Sequence, residues 1–180
     1  MLTRKEFEAA QTRAVEMIRA SGIHITDQEA ERVEVADFGL SRLDVEGAQI
    51  LTLVDAGRIA VKVVALFPNQ TLPEHWHPPV GDDPGKEETE RVVWGTLRFY
   101  IGGDDNMRGG FVPAGKQEVY TMRHELILEP GGQITVEPGT KHWFQAGDQG
   151  AVLYSFSSVA RDVLDRFTDP DIQRVTKIQD

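Results

Sequence analysis

The sequence predicts a mainly antiparallel β fold, either a sandwich or a small barrel, with a helical segment in front of it. From about Val45 onward, short segments rich in β-branched and aromatic residues alternate with turn residues, and almost no helical pattern separates them. The first 40 residues instead carry apolar side chains at helical spacing. A chain of 180 residues with 40% apolar residues is also long enough to fill one core.

These observations lead us to expect one domain over residues 1–180. Within it we expect a helical extension over 1–40, a β-barrel over 45–158 and a C-terminal tail over 159–180. The tail is charged and has few apolar anchors. We expect it to be loop with a short helical turn, packed against the barrel.

The N-terminal segment contains two helix start signals. Thr3 and Glu6 match the capping box, in which a hydroxyl and a carboxylate three residues apart bind free backbone N–H groups. Apolar residues then recur at helical spacing until a glycine ends the pattern. Thr26 and Glu29 form a second box, which predicts another helix running to about Ala36.

The rest of the chain predicts strands. Segments rich in Val, Ile, Leu, Thr and aromatic residues lie between turns that contain Gly, Pro, Asn or Asp. The predicted strands are 48–54, 58–67, 89–101, 120–128, 133–136, 142–145 and 151–156. A turn at Gly147-Asp148 is predicted between the last two.

Composition argues against several classes of protein. The absence of cysteine excludes disulfides, thiolate metal sites and cysteine nucleophiles. A net charge of -10, from 19 basic and 29 acidic residues, argues against binding to nucleic acid or to an anionic membrane. No run approaches the roughly 18 to 20 apolar residues that a membrane span needs, and the N-terminus lacks a secretory signal pattern. We therefore expect a cytoplasmic protein with neither nucleic acid nor membrane as a partner.

Three histidines and one glutamate are candidate metal ligands. His75 and His77 flank Trp76, and on a strand residues i and i+2 point to the same face, so both imidazoles would enter one cavity. Glu88 opens a later strand, and His142 lies at the start of another. Imidazole nitrogens and a carboxylate on adjacent strands suit a divalent first-row metal ion.

These residues have the order and spacing of the two cupin motifs. Six residues separate Glu88 from Gly95, and Gly132 is followed by Pro138 and then by His142. The sequence therefore resembles the cupin superfamily. That resemblance implies an all-β fold, a cupin-type antiparallel β-barrel or jelly-roll with an N-terminal helical extension.

Four longer segments resemble one branch of that superfamily, the D-lyxose isomerase family. They are Pro-Glu-His-Trp-His-Pro-Pro (73–79), Gly-Lys-Glu-Glu-Thr (85–89), Leu-Glu-Pro-Gly-Gly-Gln (128–133) and Pro-Gly-Thr-Lys-His-Trp-Phe-Gln-Ala-Gly (138–147). The likeness covers most of the chain, through Phe167-Thr168-Asp169-Pro170. It is specific, because the last motif is ten residues long and holds a predicted ligand.

The resemblance implies a metal-dependent sugar isomerase. Family members bind a divalent cation, usually manganese, through residues that match His75, His77, Glu88 and His142; zinc, cobalt, nickel and iron are the alternatives. They also rely on a lysine that matches Lys86. They are generally homodimers that interconvert aldoses and ketoses, such as D-lyxose with D-xylulose and D-mannose with D-fructose. The expected partner is thus a small monosaccharide.

One position departs from the family pattern. Where the family carries a glutamate on the last barrel strand, this chain has Ser155. A hydroxyl does not serve as a general base as a carboxylate does, so another group transfers the proton, or the alignment register is shifted, or the substrate differs. Glu90 shares the strand parity of Glu88 and is our first candidate catalytic base, the alternative being an outward Glu90 paired with an arginine. Lys86 is the second catalytic candidate, and Phe144 and Ser155 are the expected substrate-binding residues.

The expected reaction moves a hydrogen between C2 and C1 of the sugar. A six-coordinate cation with four protein ligands leaves two neighbouring positions, at which O1 and O2 of the sugar can chelate, and its Lewis acidity favours an enediol-type proton transfer. The protein must supply the group that carries the proton. Two alternatives stay open: an iron-dependent cupin dioxygenase with the same four ligands, and a non-catalytic sugar-binding cupin.

Overall fold

The computed structural model describes residues 1–158 and 160–179. The helices are α1 (Arg4–Ala20) and α2 (Asp27–Ala30), and a single 3₁₀ turn over Asp162–Leu164 follows the barrel. The strands are β1 (Leu2–Thr3), β2 (Glu34–Ala36), β3 (Ala48–Asp55), β4 (Ala60–Leu66), β5 (Thr71–Trp76), β6 (Glu88–Ile101), β7 (His124–Leu128), β8 (Gln133–Val136), β9 (His142–Ser157), β10 (Arg166–Phe167) and β11 (Ile178–Gln179).

Strand β9 organises the main sheet. One of its edges pairs with β5 over its first part and with β4 over its second part, while its other edge pairs with β6. The order along the sheet is β10-β5-β9-β4-β3-β2, and β6 also pairs with β7 and β8. All of these pairings are antiparallel, so the sheet curls into the predicted antiparallel barrel architecture.

The N-terminal helix forms as the sequence predicts. Thr3 and Glu6 make the reciprocal hydrogen bonds of a capping box at the start of α1. Ala10, Ala14 and Ile18 form the buried stripe of this helix and pack against the outer face of the sheet. The helix therefore covers apolar strand residues that would otherwise face solvent.

Strand β4 shows why the sequence of the barrel is so apolar. Val63 and Ala65 face outward toward α1, whereas Val64 and Leu66 face the interior of the barrel. Both faces of the strand are covered, so every residue of β4 except the half-buried Val61 is buried. The interior core fills one part of the barrel, and the charged residue Lys62 marks where that core gives way to a polar cavity.

Several predicted boundaries differ from the structure. The second helix was predicted to reach about Ala36 but ends at Ala30, because residues 34–36 form β2 and pair with β3. The predicted turn at Gly147-Asp148 was wrong, since β9 continues through it. Strand β7 begins at His124 rather than at residue 120.

The C-terminal tail has more order than the sequence predicts. The expected short helical turn is present as the 3₁₀ turn, but β10 and β11 were not predicted. Strand β10 pairs with β5, and β11 pairs in parallel with β1. The predicted first and last residues of the tail, 159 and 180, lie outside the described residues. Within the described parts of the chain, the structure contains no helix long and apolar enough to cross a membrane.

Candidate metal centre

The structure brings the four predicted ligand side chains together in one buried cluster. Ligand-type atoms of His75, His77, Glu88 and His142 all lie within 4.8 Å of one another. His75 lies near the end of β5 and His77 directly after it, while Glu88 begins β6 and His142 begins β9. Residues His75 and His142 are direct partners in the β5–β9 pairing, which fixes the approach of those two strands.

Each histidine uses its Nδ1 atom to bind the protein. The Nδ1–H groups of His75 and His142 donate to the backbone carbonyls of Pro73 and Thr140, both at 2.9 Å. Nδ1 of His77 donates to Oδ1 of Asp165 at 2.7 Å. These bonds leave the Nε2 atoms for the cluster, as is typical of histidines that bind metal ions.

Two of the Nε2 atoms show how the cluster could hold an ion. Nε2 of His142 is buried and has no hydrogen-bond partner among the described residues. Nε2 of His77 lies 2.9 Å from Oε2 of Glu88. Three imidazole nitrogens and one carboxylate oxygen form a donor set that fits a divalent first-row cation.

Burial sets the charge states of the cluster. It lowers the pKa of His142 to about 4 and, together with the neighbouring imidazoles, holds the pKa of His75 well below its usual range. Burial also acts on His77, but its hydrogen bonds to Asp165 and Glu88 outweigh that effect and raise its pKa. Burial alone would raise the pKa of Glu88; Lys86 and His77 instead hold it well below the usual value. Neutral imidazoles and an ionised carboxylate are the forms that bind metal ions.

Lys86 is buried beside the cluster. Its Nζ atom donates to Oε1 of Glu88 at 3.0 Å and to Oδ1 of Asp162 at 3.4 Å. Burial would lower the pKa of this lysine, but the carboxylates of Glu88, Asp165 and Asp162 outweigh it and raise the pKa. Lys86 is therefore an ammonium group in this arrangement, and a donor of hydrogen bonds.

Glu90 faces the cavity rather than solvent. Its side chain is 2% exposed, and its Oε2 atom is buried without a hydrogen-bond partner among the described residues. Burial, followed by the charge of Glu88, raises the pKa of Glu90 well above its usual value. The outward orientation that would pair Glu90 with an arginine does not occur.

Phe144 and Ser155 also line the cavity. Phe144 is buried and stacks on Phe99, with ring centroids 5.6 Å apart. The Ser155 hydroxyl donates to Oε1 of Glu88 at 2.8 Å, so its hydrogen is already engaged by a ligand-type carboxylate. Both residues thus lie where the sequence places them, and their role toward a substrate stays a prediction.

Four charged residues at the cavity were not identified from the sequence. They are Lys62, Asp162, Asp165 and Arg174. Asp162 forms ion pairs with Lys62, with Lys86 and with Arg174. Lys62 had a usable signal, because it is a charge inside an otherwise apolar strand. Asp162, Asp165 and Arg174 had no such signal, because acidic and basic residues are common throughout the C-terminal tail.

The sequence of this chain is similar to those of known sugar isomerases. The family model described as D-lyxose isomerase matches residues 2–180. The chain is 49% identical over 175 residues to a D-lyxose ketol-isomerase of Cohnella laeviribosi, covering 97% of this chain and 96% of that protein. It is 44% identical over 181 residues to a D-lyxose/D-mannose isomerase of Thermosediminibacter oceani, covering 100% of both chains.

Solved structures share the fold. An L-ribose isomerase variant of Acinetobacter sp. DL28, in complex with L-ribose, aligns with a TM-score of 0.82 at 14% identity, covering 99% of this chain and 98% of that chain. The L-ribose isomerase of Cellulomonas parahominis aligns with a TM-score of 0.80 at 16% identity, over the same shares of the two chains. The predicted fold class, a cupin-type antiparallel barrel with an N-terminal helix, is confirmed.

Proposed function

Because this chain belongs to the D-lyxose isomerase family, we propose that it interconverts D-lyxose and D-xylulose, with D-mannose and D-fructose as a second pair. Membership of the family makes it an enzyme of the sugar isomerase type. The choice of sugar and the roles of individual residues are the proposal. The observation that carries it is the buried cluster of three imidazoles and a carboxylate beside a second carboxyl group with a free oxygen.

We propose that His75, His77, Glu88 and His142 bind one divalent cation. Manganese is our first choice, and zinc, cobalt, nickel and iron are the alternatives. The unpartnered Nε2 of His142 and the convergence of four ligand-type atoms support this assignment. When bound, such a cation supplies Lewis acidity to the sugar oxygens next to the reacting carbons.

Glu90 is the proposed general base. Conversion of an aldose into a ketose requires that one proton move from C2 to C1 and that the hydroxyl proton of O2 move to O1. One carboxylate that faces both carbons can serve the transfer between the carbons. The free Oε2 of Glu90 is the cavity atom available for this exchange. Burial raises the pKa of Glu90 well above its usual value, so this carboxyl group takes up a proton more readily than an ordinary glutamate, which suits a proton carrier.

Lys86 is the second residue that we propose takes part in the reaction, together with Glu90. As a buried ammonium group it can donate a hydrogen bond to the sugar oxygen on which negative charge develops. Its contacts with Glu88 and Asp162 hold the long side chain in place, so little conformational freedom is lost when the sugar binds.

The remaining assignments concern the substrate and the assembly. We propose that the ring of Phe144 forms an apolar wall for the monosaccharide and that Ser155 accepts a hydrogen bond from a sugar hydroxyl. The same family resemblance leads us to propose a homodimer in the cytoplasm. We also propose that residues 1–180 form one domain, with the tail contributing to the barrel.

An anaerobic assay in deuterated water tests this function. Manganese-loaded protein is incubated with D-lyxose, D-mannose, D-xylose and L-ribose, and the products are followed by NMR. We expect D-lyxose to give D-xylulose carrying deuterium at C1. Glu90→Gln should reduce the rate by at least about 100-fold, while Glu87→Gln, a change at an exposed neighbour, should stay within about twofold of the unaltered protein.

Other outcomes would contradict the proposal. No ketose from any of these aldoses would exclude the isomerase reaction. A product that forms only when oxygen is admitted would indicate the dioxygenase. A sugar that raises the Tm without being converted would indicate a binding protein. Full activity of Glu90→Gln would remove Glu90 from the mechanism.

A further inference from the structure

Asp165 connects the C-terminal tail to the candidate metal centre. Its Oδ1 atom accepts a hydrogen bond of 2.7 Å from Nδ1 of His77, 88 residues earlier in the chain. The Asp165 side chain is 11% exposed and that of His77 is 2% exposed, so the contact is shielded from water. A bond this short and buried restricts the rotation of the imidazole ring.

Strand pairing explains why Asp165 reaches this place. In the antiparallel β10–β5 pair, Phe167 lies opposite His75. Continued one residue beyond the last printed pair, Arg166 with Trp76, this register brings Asp165 toward His77, and the hydrogen bond between their side chains agrees with it. Strand β10 lies at the end of the sheet order, so among the described strands it alone occupies this edge of β5.

The segment around Asp165 is anchored on both sides. After it, Thr168 donates its backbone N–H to the carbonyl of Glu74 at 3.1 Å and its hydroxyl to the Glu74 carboxylate at 2.6 Å. Before it, Asp162 is held by Lys62 and Lys86. The carboxylate of Asp165 is thus presented to His77 by a fixed backbone rather than by a loose tail.

We propose that Asp165 is a positioning residue of the metal centre, which fixes the tautomer and rotation of His77 so that Nε2 faces the ion. The inference rests on the metal site of the proposed function. His75 and His142 obtain the equivalent hydrogen bond from backbone carbonyls two residues away, whereas His77 obtains it from a distant side chain. A carboxylate in this position orients a ligating imidazole and makes it a better donor to the metal ion.

Metal binding by the metal-free protein tests the proposal. Cobalt(II) is titrated into each variant and followed by calorimetry and by its visible absorption, so the readout does not depend on activity. Asp165→Ala should weaken the Kd by about 10- to 100-fold and alter the cobalt spectrum. Asp165→Asn should bind at least about fivefold more tightly than Asp165→Ala, because the amide oxygen still accepts from Nδ1 of His77.

A matched control comes from the same segment. Asp171 is exposed, and Asp171→Asn should leave the Kd within about twofold of the unaltered protein. If Asp165→Ala does not fold, as judged by circular dichroism, Asp165→Ser takes its place, because a serine side chain is also too short to reach His77.

The outcomes separate this inference from the site on which it rests. If His142→Ala abolishes binding but Asp165→Ala binds within twofold of the unaltered protein, Asp165 has no positioning role and the metal site stands. If Asp165→Asn is as weak as Asp165→Ala, a hydrogen bond from His77 is not what matters, and the proposal fails. If the unaltered protein does not bind cobalt, the metal site fails with it.

Discussion

The side chains of the candidate metal centre differ in the charge that their surroundings favour. Burial disfavours the protonated forms of His75 and His142, while Glu88 stays ionised next to Lys86. His77 is the exception, because its hydrogen bonds to Asp165 and Glu88 stabilise its protonated form and raise its pKa. A cation and a proton therefore compete for the position between His77 and Glu88.

Acid should destabilise the metal-free protein partly through His142. Its pKa is about 4 in the folded state and 6.5 in the unfolded state. Between these pH values His142 is protonated in the unfolded chain but not in the folded chain. The contribution of His142 to the free energy of unfolding is therefore fully present above pH 6.5 and is lost as the pH drops toward 4. We expect this residue to account for about 3 kcal/mol of the loss in unfolding free energy.

Urea unfolding at several pH values measures this effect. His142→Asn removes the titrating group, so its stability should fall less steeply than that of the unaltered protein over the same pH range. The comparison is between slopes, which a general loss of stability in the variant does not change. Equal slopes for the two proteins would contradict the assignment.

At this scale, strand parity accounts for what the sequence could predict. The i, i+2 rule places His75 with His77, and Glu88 with Glu90, on one face, and the structure agrees. It could not find Asp165, because a two-residue strand leaves no periodic pattern and its partner lies 88 residues away. Long-range pairing of short edge strands depends on tertiary packing, which no local signal reports.

At the scale of elements, the antiparallel pairing of β6 and β9 positions the candidate site. Strand β6 carries Glu88 and Glu90, and β9 begins with His142. The two strands pass closely at Gly95, where φ is +76° and an added Cβ would lie 2.1 Å from the backbone oxygen of Gly150. Only glycine permits both this conformation and this approach.

Gly95→Ala should therefore be strongly destabilising. We expect a loss of about 3–5 kcal/mol in unfolding free energy, from the left-handed conformation and from the clash with the backbone of β9. Gly57→Ala is the matched control: its φ is +74°, but, its two chain neighbours aside, no other residue of 1–158 or 160–179 has an atom within 4 Å of the added Cβ. It should cost only about 1–2 kcal/mol. Similar losses in the two variants, measured by urea unfolding, would contradict the role given to the close approach of β6 and β9 at Gly95.

The elements that the sequence predicts best are those with local chemistry of their own. The two capping boxes form at Thr3 and Thr26 as expected, because they depend on residues three positions apart. The second helix ends early because pairing of residues 34–36 with β3 overrides local helical preference. The turn at Gly147-Asp148 fails for the same reason, since β6 pairs with β9 on both sides of it.

At the scale of the whole molecule, the N-terminal helix and the C-terminal tail belong with the barrel. The family match spans residues 2–180 and so includes both ends. Helix α1 packs on the outer face of the sheet, and the tail closes the polar end of the barrel through Asp162 and Asp165. Ligand binding at the cluster should thus stabilise the entire fold, since its members come from three strands and depend on the tail.

Metal loading should raise the thermal stability of the protein. At a free cation concentration of 100 times the Kd, binding adds about 2.7 kcal/mol, which corresponds to a rise in Tm of about 5–10 °C for a chain of this size. Chelation with EDTA should reverse the rise. A double variant, His75→Ala with His77→Ala, should show no rise with the same metal.

Differential scanning calorimetry should give one cooperative transition, as expected for the single domain that we propose, and two separate transitions would contradict it.

The most direct test of the central claim is a titration of the metal-free protein with manganese, in which the rate of D-xylulose formation from D-lyxose is followed at each addition. We expect almost no rate without metal, a linear rise with each addition and saturation at one equivalent per chain, together with loss of the response in His142→Ala. Undiminished isomerisation by the chelated protein, or an unchanged response in His142→Ala, would contradict it.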